Sequence, residues 1–212
     1  MRISSLIIKL KIENYDCIKS LQLPPGWTEN KLGGGFAPRT MRAFSPPDNP
    51  RVKIVLLNRG LPVSEDAGKT FRKILQLSPK LIFDRNSANK LMPTEVQLIC
   101  DLEEILGNAG DNQIVNPDTG ISGPPFILDR LEVLVCNDRP ALAVRGWFCN
   151  PGNGQRLNAF YGLFVDVNAR DDACGVEQIF LEAPEETLYL QYLPAFEQCL
   201  HSIEWLATAS QH

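Results

Sequence analysis

The stretch that decides the fold is Leu131-Glu-Val-Leu-Val-Cys136, Asn137-Asp-Arg-Pro140, Ala141-Leu-Ala-Val-Arg-Gly-Trp-Phe-Cys149. Apolar side chains alternate with polar or small ones on either side of a turn-forming Asn-Asp pair, the pattern of two strands joined as a hairpin. On its C-terminal side, Leu157–Val167 and Val176–Leu181 repeat the pattern after Asn150-Pro-Gly-Asn-Gly154 and after a polar turn at Arg170–Gly175. The expectation is a four-stranded antiparallel meander. Its strands carry bulky groups at both parities: Leu157, Tyr161, Leu163 and Val165 point one way, Phe160 and Phe164 the other. Both faces of such a sheet need cover, which helices on two sides supply.

Toward the N-terminus, Ile8–Ile12 and Val52–Leu57 also alternate, punctuated by Pro24-Pro25-Gly26, Gly33-Gly34-Gly35 and Pro46-Pro47-Asp48-Asn49-Pro50. Ser64 can cap a helix whose first turn holds Glu65 and Asp66, and Ala67, Phe71, Ile74 and Leu75 recur at helical spacing, predicting a helix over 64–77. A second helix is predicted over 94–106, with a Thr94/Gln97 capping box, a stripe of Leu98, Ile99, Leu102, Ile105 and Leu106, and Gly107 at its end. Residues 108–125, rich in Gly and Pro, read as a long loop, a candidate lid or partner-binding segment. From Pro194 onward, Phe196, Cys199, Leu200, Ile203 and Leu206 predict a last helix over 194–208, lying across the sheet.

The fold expectation is one α/β domain over 1–212, an α+β sandwich of a mostly antiparallel sheet with helices on both faces, carrying an insertion at 78–125. The alternative is a helix-grip fold, a curved sheet wrapped around the last helix with a ligand cavity between them.

A chain of 212 residues, 44% hydrophobic and 22% charged, is long enough to bury its own core. The net charge of −4 and pI near 5.3 argue against a nucleic-acid surface, which carries a clustered basic excess. No stretch approaches the ~20 apolar residues of a membrane span, and the first residues lack the apolar run of a secretory signal, so the expected location is cytoplasmic. Cys17, Cys100, Cys136, Cys149, Cys174 and Cys199 are widely spaced in mostly apolar segments, the pattern of reduced core thiols.

No constellation specifies a reaction. His201 lies one helical turn from Glu197 and Trp205, where it reads as a helix-edge histidine bonded to Glu197; Cys199 and His201 are two residues apart and do not face each other. Asp166–Glu177 places oxygens at four positions of a calcium-loop register, but Arg170 and Asp171 break it, so no metal site is expected. Gly33-Gly34-Gly35 is followed by Phe36-Ala37-Pro38 rather than by a helix start and a lysine, so it is no phosphate cradle. The expectation is no catalytic set, no cofactor and no enzyme. Arg145 and Trp147 share a strand face with small alanines, and with Tyr161 they are the candidate partner-binding residues, since Arg and aromatic side chains are enriched at binding hot spots.

Two stretches carry a family resemblance. Leu21-Gln-Leu-Pro24-Pro-Gly26-Trp27, followed by Phe44-Ser-Pro-Pro-Asp48 and the strand at Val52, resembles the opening of the PsbP/Mog-like superfamily. Glu182-Ala183-Pro184 with Phe196–Trp205 is similar to its closing helix. The resemblance spans residues 18–77 and 126–208 and implies a sheet covered by helices on both sides. The superfamily includes photosystem-associated PsbP proteins, Ran-binding Mog proteins and chaperones for secreted effectors, which implies a binding fold without a shared catalytic set. The functional expectation is therefore a non-catalytic protein-binding or assembly module, with a small-ligand-binding protein or enzyme as the alternative.

Overall fold

A computed structural model describes residues 10–31, 41–58, 71–77, 79–87, 126–150, 152–166 and 176–206. Within them the meander forms as expected: β7 (Phe126–Cys136), β8 (Arg139–Cys149), β9 (Arg156–Asp166) and β10 (Val176–Ala183) pair antiparallel in sequence order. Asn137 and Asp138 join β7 to β8 with positive φ at both positions, 48° and 66°, the backbone that a two-residue I′ hairpin demands and that Asn and Asp tolerate.

The meander extends on both sides. On one edge β10 pairs with β5 (Lys53–Asn58), followed by β4 (Met41–Ser45) and β3 (Thr28–Glu29); on the other, β7 pairs with β6 (Lys80–Asp84). The result is an eight-stranded antiparallel sheet ordered β3-β4-β5-β10-β9-β8-β7-β6. A second, three-stranded sheet, β1-β2-β11, joins β1 (Lys11–Tyr15) and β2 (Ile18–Gln22) to β11 (Glu204–Trp205) near the other end of the chain. The expected insertion therefore contains β6, an edge strand of the main sheet.

The two parities separate as read from the sequence. Leu142, Val144, Phe148, Phe160 and Phe164 pack with Phe126, Leu128, Leu131 and Val133 on one face. Ala141, Ala143, Tyr161, Leu163, Val165, Ile179, Leu181 and Ala183 line the other, beneath Tyr192, Phe196, Cys199 and Leu200 of the C-terminal helix (Glu186–His201) and beneath Ile12, Ile18 and Leu21 of the small sheet.

The cover differs from expectation. One face takes the C-terminal helix together with the small sheet; on the other, the described helical residues are only 71–75, which contribute Phe71, Ile74 and Leu75 to an otherwise strand-borne cluster. Among the described residues, helices on both faces is thus corrected to one long helix and the small sheet on one face, with the helical residues 71–75 packed on strand-borne side chains on the other. The helix-grip arrangement is replaced by direct contact: Phe196 is 0% exposed and stands edge-on to Tyr161 at 5.4 Å. The parts of the 64–77 helix before Phe71, the 94–106 helix, the 108–125 loop, Gly33–Gly35, Cys100 and Cys174 lie outside the described residues.

The C-terminal helix begins at Glu186 rather than Pro194 and stops at His201. Pro194 sits inside it, where proline removes a backbone donor and excludes the carbonyl four residues earlier. Leu190 and Pro194 are both exposed, so the freed carbonyl is on the solvent side, where water satisfies it. The end is set by Ser202, whose hydroxyl donates to Cys199 O at 2.7 Å and accepts from Gln22 N at 2.9 Å. That bond diverts the next residues into β11. The periodic stripe survives through Ile203, but Leu206 leaves it.

Four phenylalanines cluster on the face opposite the C-terminal helix. Phe126, Phe148 and Phe160 meet edge to face at 5.1–5.7 Å, and Phe180 lies tilted on Phe160 at 5.1 Å. Gly146 makes this possible: a Cβ there meets the Ile127 carbonyl and lies 2.5 Å from Cζ of Phe126. Gly146→Ala is expected to destabilise the protein by about 2 kcal/mol, or roughly 4–8 °C in Tm, because backbone as well as ring must yield. An unchanged thermal midpoint in calorimetry would refute this account of the cluster.

Candidate functional site

The hairpin turn at Asn137-Asp138 protrudes at the end of the sheet where the C-terminal helix also finishes. Asn137 directs its side-chain amide at the carbonyls of Leu200, His201 and Ile203, at 3.2, 3.1 and 2.8 Å, supplying donors that the helix end lacks. Chain and turn are thereby fixed together, and β11 is placed beside Arg139. The Arg139 guanidinium lies over the Trp205 ring at 5.0 Å and donates to Leu206 O at 3.1 Å, while Trp205 Nε1 donates to Cys136 O at 2.8 Å.

Across from this stack, Arg72 of the 71–75 helical turn bonds Asp166 at the end of β9, Nε to Oδ2 at 2.8 Å, with both side chains mostly buried. Between the two lies an open groove of about 760 Å³ whose lining includes Arg72, Gln76, Asp138, Arg139, Trp205 and Leu206. Its floor is apolar, from Leu75, Pro140 and Ile203, and its rim is charged. Leu206 on the wall is 38% exposed, a large apolar side chain left open to solvent.

Of the residues expected to bind a partner, the structure brings Arg145 and Tyr161 together and sets Trp147 apart. Arg145 stacks over the Tyr161 ring at 4.2 Å and donates to Glu197 Oε1 at 3.4 Å; its Nε is buried without a partner among the described residues. Tyr161 is 4% exposed, and burial raises its phenol above the ordinary range. Trp147 is 7% exposed, packs with Cys149 and Ala159, and has the Arg156 guanidinium over its ring at 4.7 Å. Glu197 and His201 border a smaller cleft of about 210 Å³ with Val135, Cys136 and Tyr161. The contact between His201 and Glu197 is to the backbone: Nδ1 lies 2.6 Å from the Glu197 carbonyl, while the Glu197 carboxylate serves Arg145.

The Arg139–Trp205 pair is not visible in the sequence, because the periodicity predicts Trp205 on a helix continuing to 208. The available signal was Ser202, which competes for the last helical carbonyls and so favours an end there.

Asp166, the first oxygen of the broken calcium register, is engaged by Arg72, and the register as far as Gly175 lies outside the described residues. Cys17, Cys136, Cys149 and Cys199 are free thiols, the last three buried. Burial pushes the Cys136 thiol up to about 11 and those of Cys17 and Cys199 up to about 12, so at neutral pH they hold their protons and are poor nucleophiles.

The architecture is similar to that of cyanobacterial PsbP (CyanoP) from Synechocystis sp. PCC 6803, known from a solution structure, with a TM-score of 0.54 and 8% sequence identity over 96% of this chain and 95% of that one. The fold is PsbP-like. No protein-family model and no curated protein matches the chain in sequence. Among the described residues no helix is long and apolar enough to cross a membrane.

The PsbP-like opening motif has a physical reading in this fold. Pro24-Pro25-Gly26-Trp27 is a type II turn: Gly26 has φ 82°, and Trp27 N donates to Pro24 O at 3.2 Å. The turn presents Trp27 edge-on to Tyr192 at 5.7 Å, and the Tyr192 hydroxyl donates to the carboxylate of Asp48, 2.9 Å from either oxygen. Both proline-rich motifs thus converge on one tyrosine of the C-terminal helix.

Iodoacetamide at about pH 8 is expected to leave Cys136, Cys149 and Cys199 unlabelled in the native protein and to label all three in denaturant, read by peptide mass spectrometry. Rapid native labelling of Cys136 or Cys199 would contradict the buried, protonated state.

Proposed function

We propose that the chain is a non-catalytic binding module that takes a segment of a partner protein in the groove between Arg72 and Trp205. The observation that carries this reading is the Arg139–Trp205 stack forming the wall of an open groove with an apolar floor and a charged rim. Aromatic and Arg anchors within a polar surround are the composition of interface hot spots. Trp205 and Leu206 are partly accessible, whereas Trp147 lies beneath Arg156 and Tyr161 beneath the helix, so the anchor of this reading is Trp205 rather than the Arg145, Trp147 and Tyr161 set. The acidic composition supports a partner other than nucleic acid and is compatible with a cytoplasmic setting.

A small-ligand site is the second reading, favoured by one observation: about 760 Å³ falls within the volume range of small-molecule pockets. Photo-crosslinking separates the two. A benzophenone side chain placed at Asp138 or Leu206 is expected to capture a discrete protein in source cells, and one at Leu157, exposed at the far end of β9, is not. Leu206→Asp should then weaken the purified complex by about 2 kcal/mol, near thirtyfold in Kd. Absence of groove adducts, with a small molecule retained stoichiometrically in native mass spectrometry, would replace the first reading by the second.

A further inference from the structure

Glu177 lies in β10, opposite Asn58 of β5 and Val165 of β9. Its parity is that of Ile179 and Leu181, so it points to the face covered by the small sheet. It is 0% exposed, and neither carboxylate oxygen has a hydrogen-bond partner among the described residues.

Among the described residues, the groups around it supply no positive charge. Tyr15 faces it from β1 and donates its hydroxyl to Leu56 O at 3.3 Å; Asp16 and Cys17 face it from the β1–β2 turn. Asn58 is its neighbour on β5, and Val165, on β9, is uncharged. Arg42 acts on Tyr15 and Arg139 on Cys17, but among the described residues neither is placed against Glu177. An ionised carboxylate in such a position is strongly disfavoured, and the negative charge of Asp16 adds to the penalty. Burial, with Asp16 second, accordingly pushes the Glu177 carboxyl up to about 8.

The cover over Glu177 is also the support of the groove wall. Leu206 N donates to Cys17 O at 2.8 Å, Trp205 and Glu204 pair with Ile18 and Ser20 of β2, and Lys19 reaches Glu204 at 3.3 Å. The turn that seals the carboxyl and the strand that carries Trp205 are thus bonded directly to each other.

We propose that Glu177 is a proton-operated latch: protonated, it lets β1, β2 and β11 seat on the main sheet and hold Trp205 and Leu206 as the groove wall; ionised, it draws water beneath the β1–β2 turn and loosens that wall. Because the folded-state carboxyl is raised from its ordinary 4.5, the stability it supports is fully present below about 4.5 and is lost as pH rises through about 8. This places the midpoint of the carboxyl's titration near pH 8.

NMR of the full chain tests the latch directly, with the Glu177 carboxyl carbon and the Trp205 indole N–H as probes, the latter assigned with Trp205→Phe. The Glu177 carbon is expected to titrate with a midpoint near pH 8, and the Trp205 indole to shift with the same midpoint. Glu177→Gln should abolish the indole shift and the fall in Tm between about pH 4.5 and about pH 8, and Asp16→Asn should move the midpoint to lower pH. A Glu177 midpoint near 4.5, or an indole resonance that stays fixed through the Glu177 titration, overturns the proposal. The wild-type titrations decide the question even if a variant does not fold. Only the consequence for partner binding rests on the function proposed above: failed crosslinking with both titrations as expected overturns that function and leaves the latch standing.

Discussion

The rest of the structure depends on the packing of Phe196 into the trough of small side chains on the main sheet. Ala141, Ala143 and Ala183 share the cluster beneath the C-terminal helix, and the Phe196 ring stands edge-on to Tyr161 at 5.4 Å. A trough of this kind fixes the height and position of the helix, because close-packed interiors tolerate neither a gap nor an overlap of a methylene. Once the helix is seated, Tyr192 is in place to meet Trp27 and Asp48, and Ser202 to meet Gln22. The N-terminal segment is thus organised by contacts with the last sixth of the chain, and the three-stranded sheet joins the two.

The strands from β7 to β10 were legible because a strand buried on both faces shows its two parities as two different residue sets, alanines and a tyrosine on one side and phenylalanines on the other. The turn at Asn137-Asp138 was legible from its residue types. The end of the last helix was harder to read: the 3.6-residue period continues through Ile203 and Leu206, while the helix stops at His201, where the Ser202 hydroxyl bonds Cys199 O and also Gln22 N, 180 positions away. A period in sequence reports which residues are buried, and both a helix and the extended segment after it can bury the same ones. The same limit hid the groove. Arg139 and Trp205 are brought together by the pairing of β11 with β2, a contact that no local pattern encodes.

The candidate trio of Arg145, Trp147 and Tyr161 shows the converse. Their shared face was correctly read, but a face lined with small residues invites a cover from the same chain before it invites a partner. Here the C-terminal helix takes that place, and Arg145 becomes a strut between Tyr161 and Glu197. Its chemistry is spent internally. What remains available outside is the rim, where cover from one face of the sheet stops.

The groove stands at such a boundary, and its two walls belong to opposite faces of the sheet. The Arg72 wall is tied to the end of β9 by a mostly buried ion pair, while the Trp205 wall is held by backbone bonds to β2 and Cys17 and by side-chain bonds to the β7–β8 hairpin. Charge-assisted bonds of the first kind hold best when water is excluded, and the second wall is as firm as the seating of the small sheet and the hairpin turn together. A fold shared at 8% identity with cyanobacterial PsbP fixes the sheet and the helix, since those depend on parity and packing that many sequences satisfy. The rim is set by a handful of residues at the junction of the two covers, and function can change there while the fold remains.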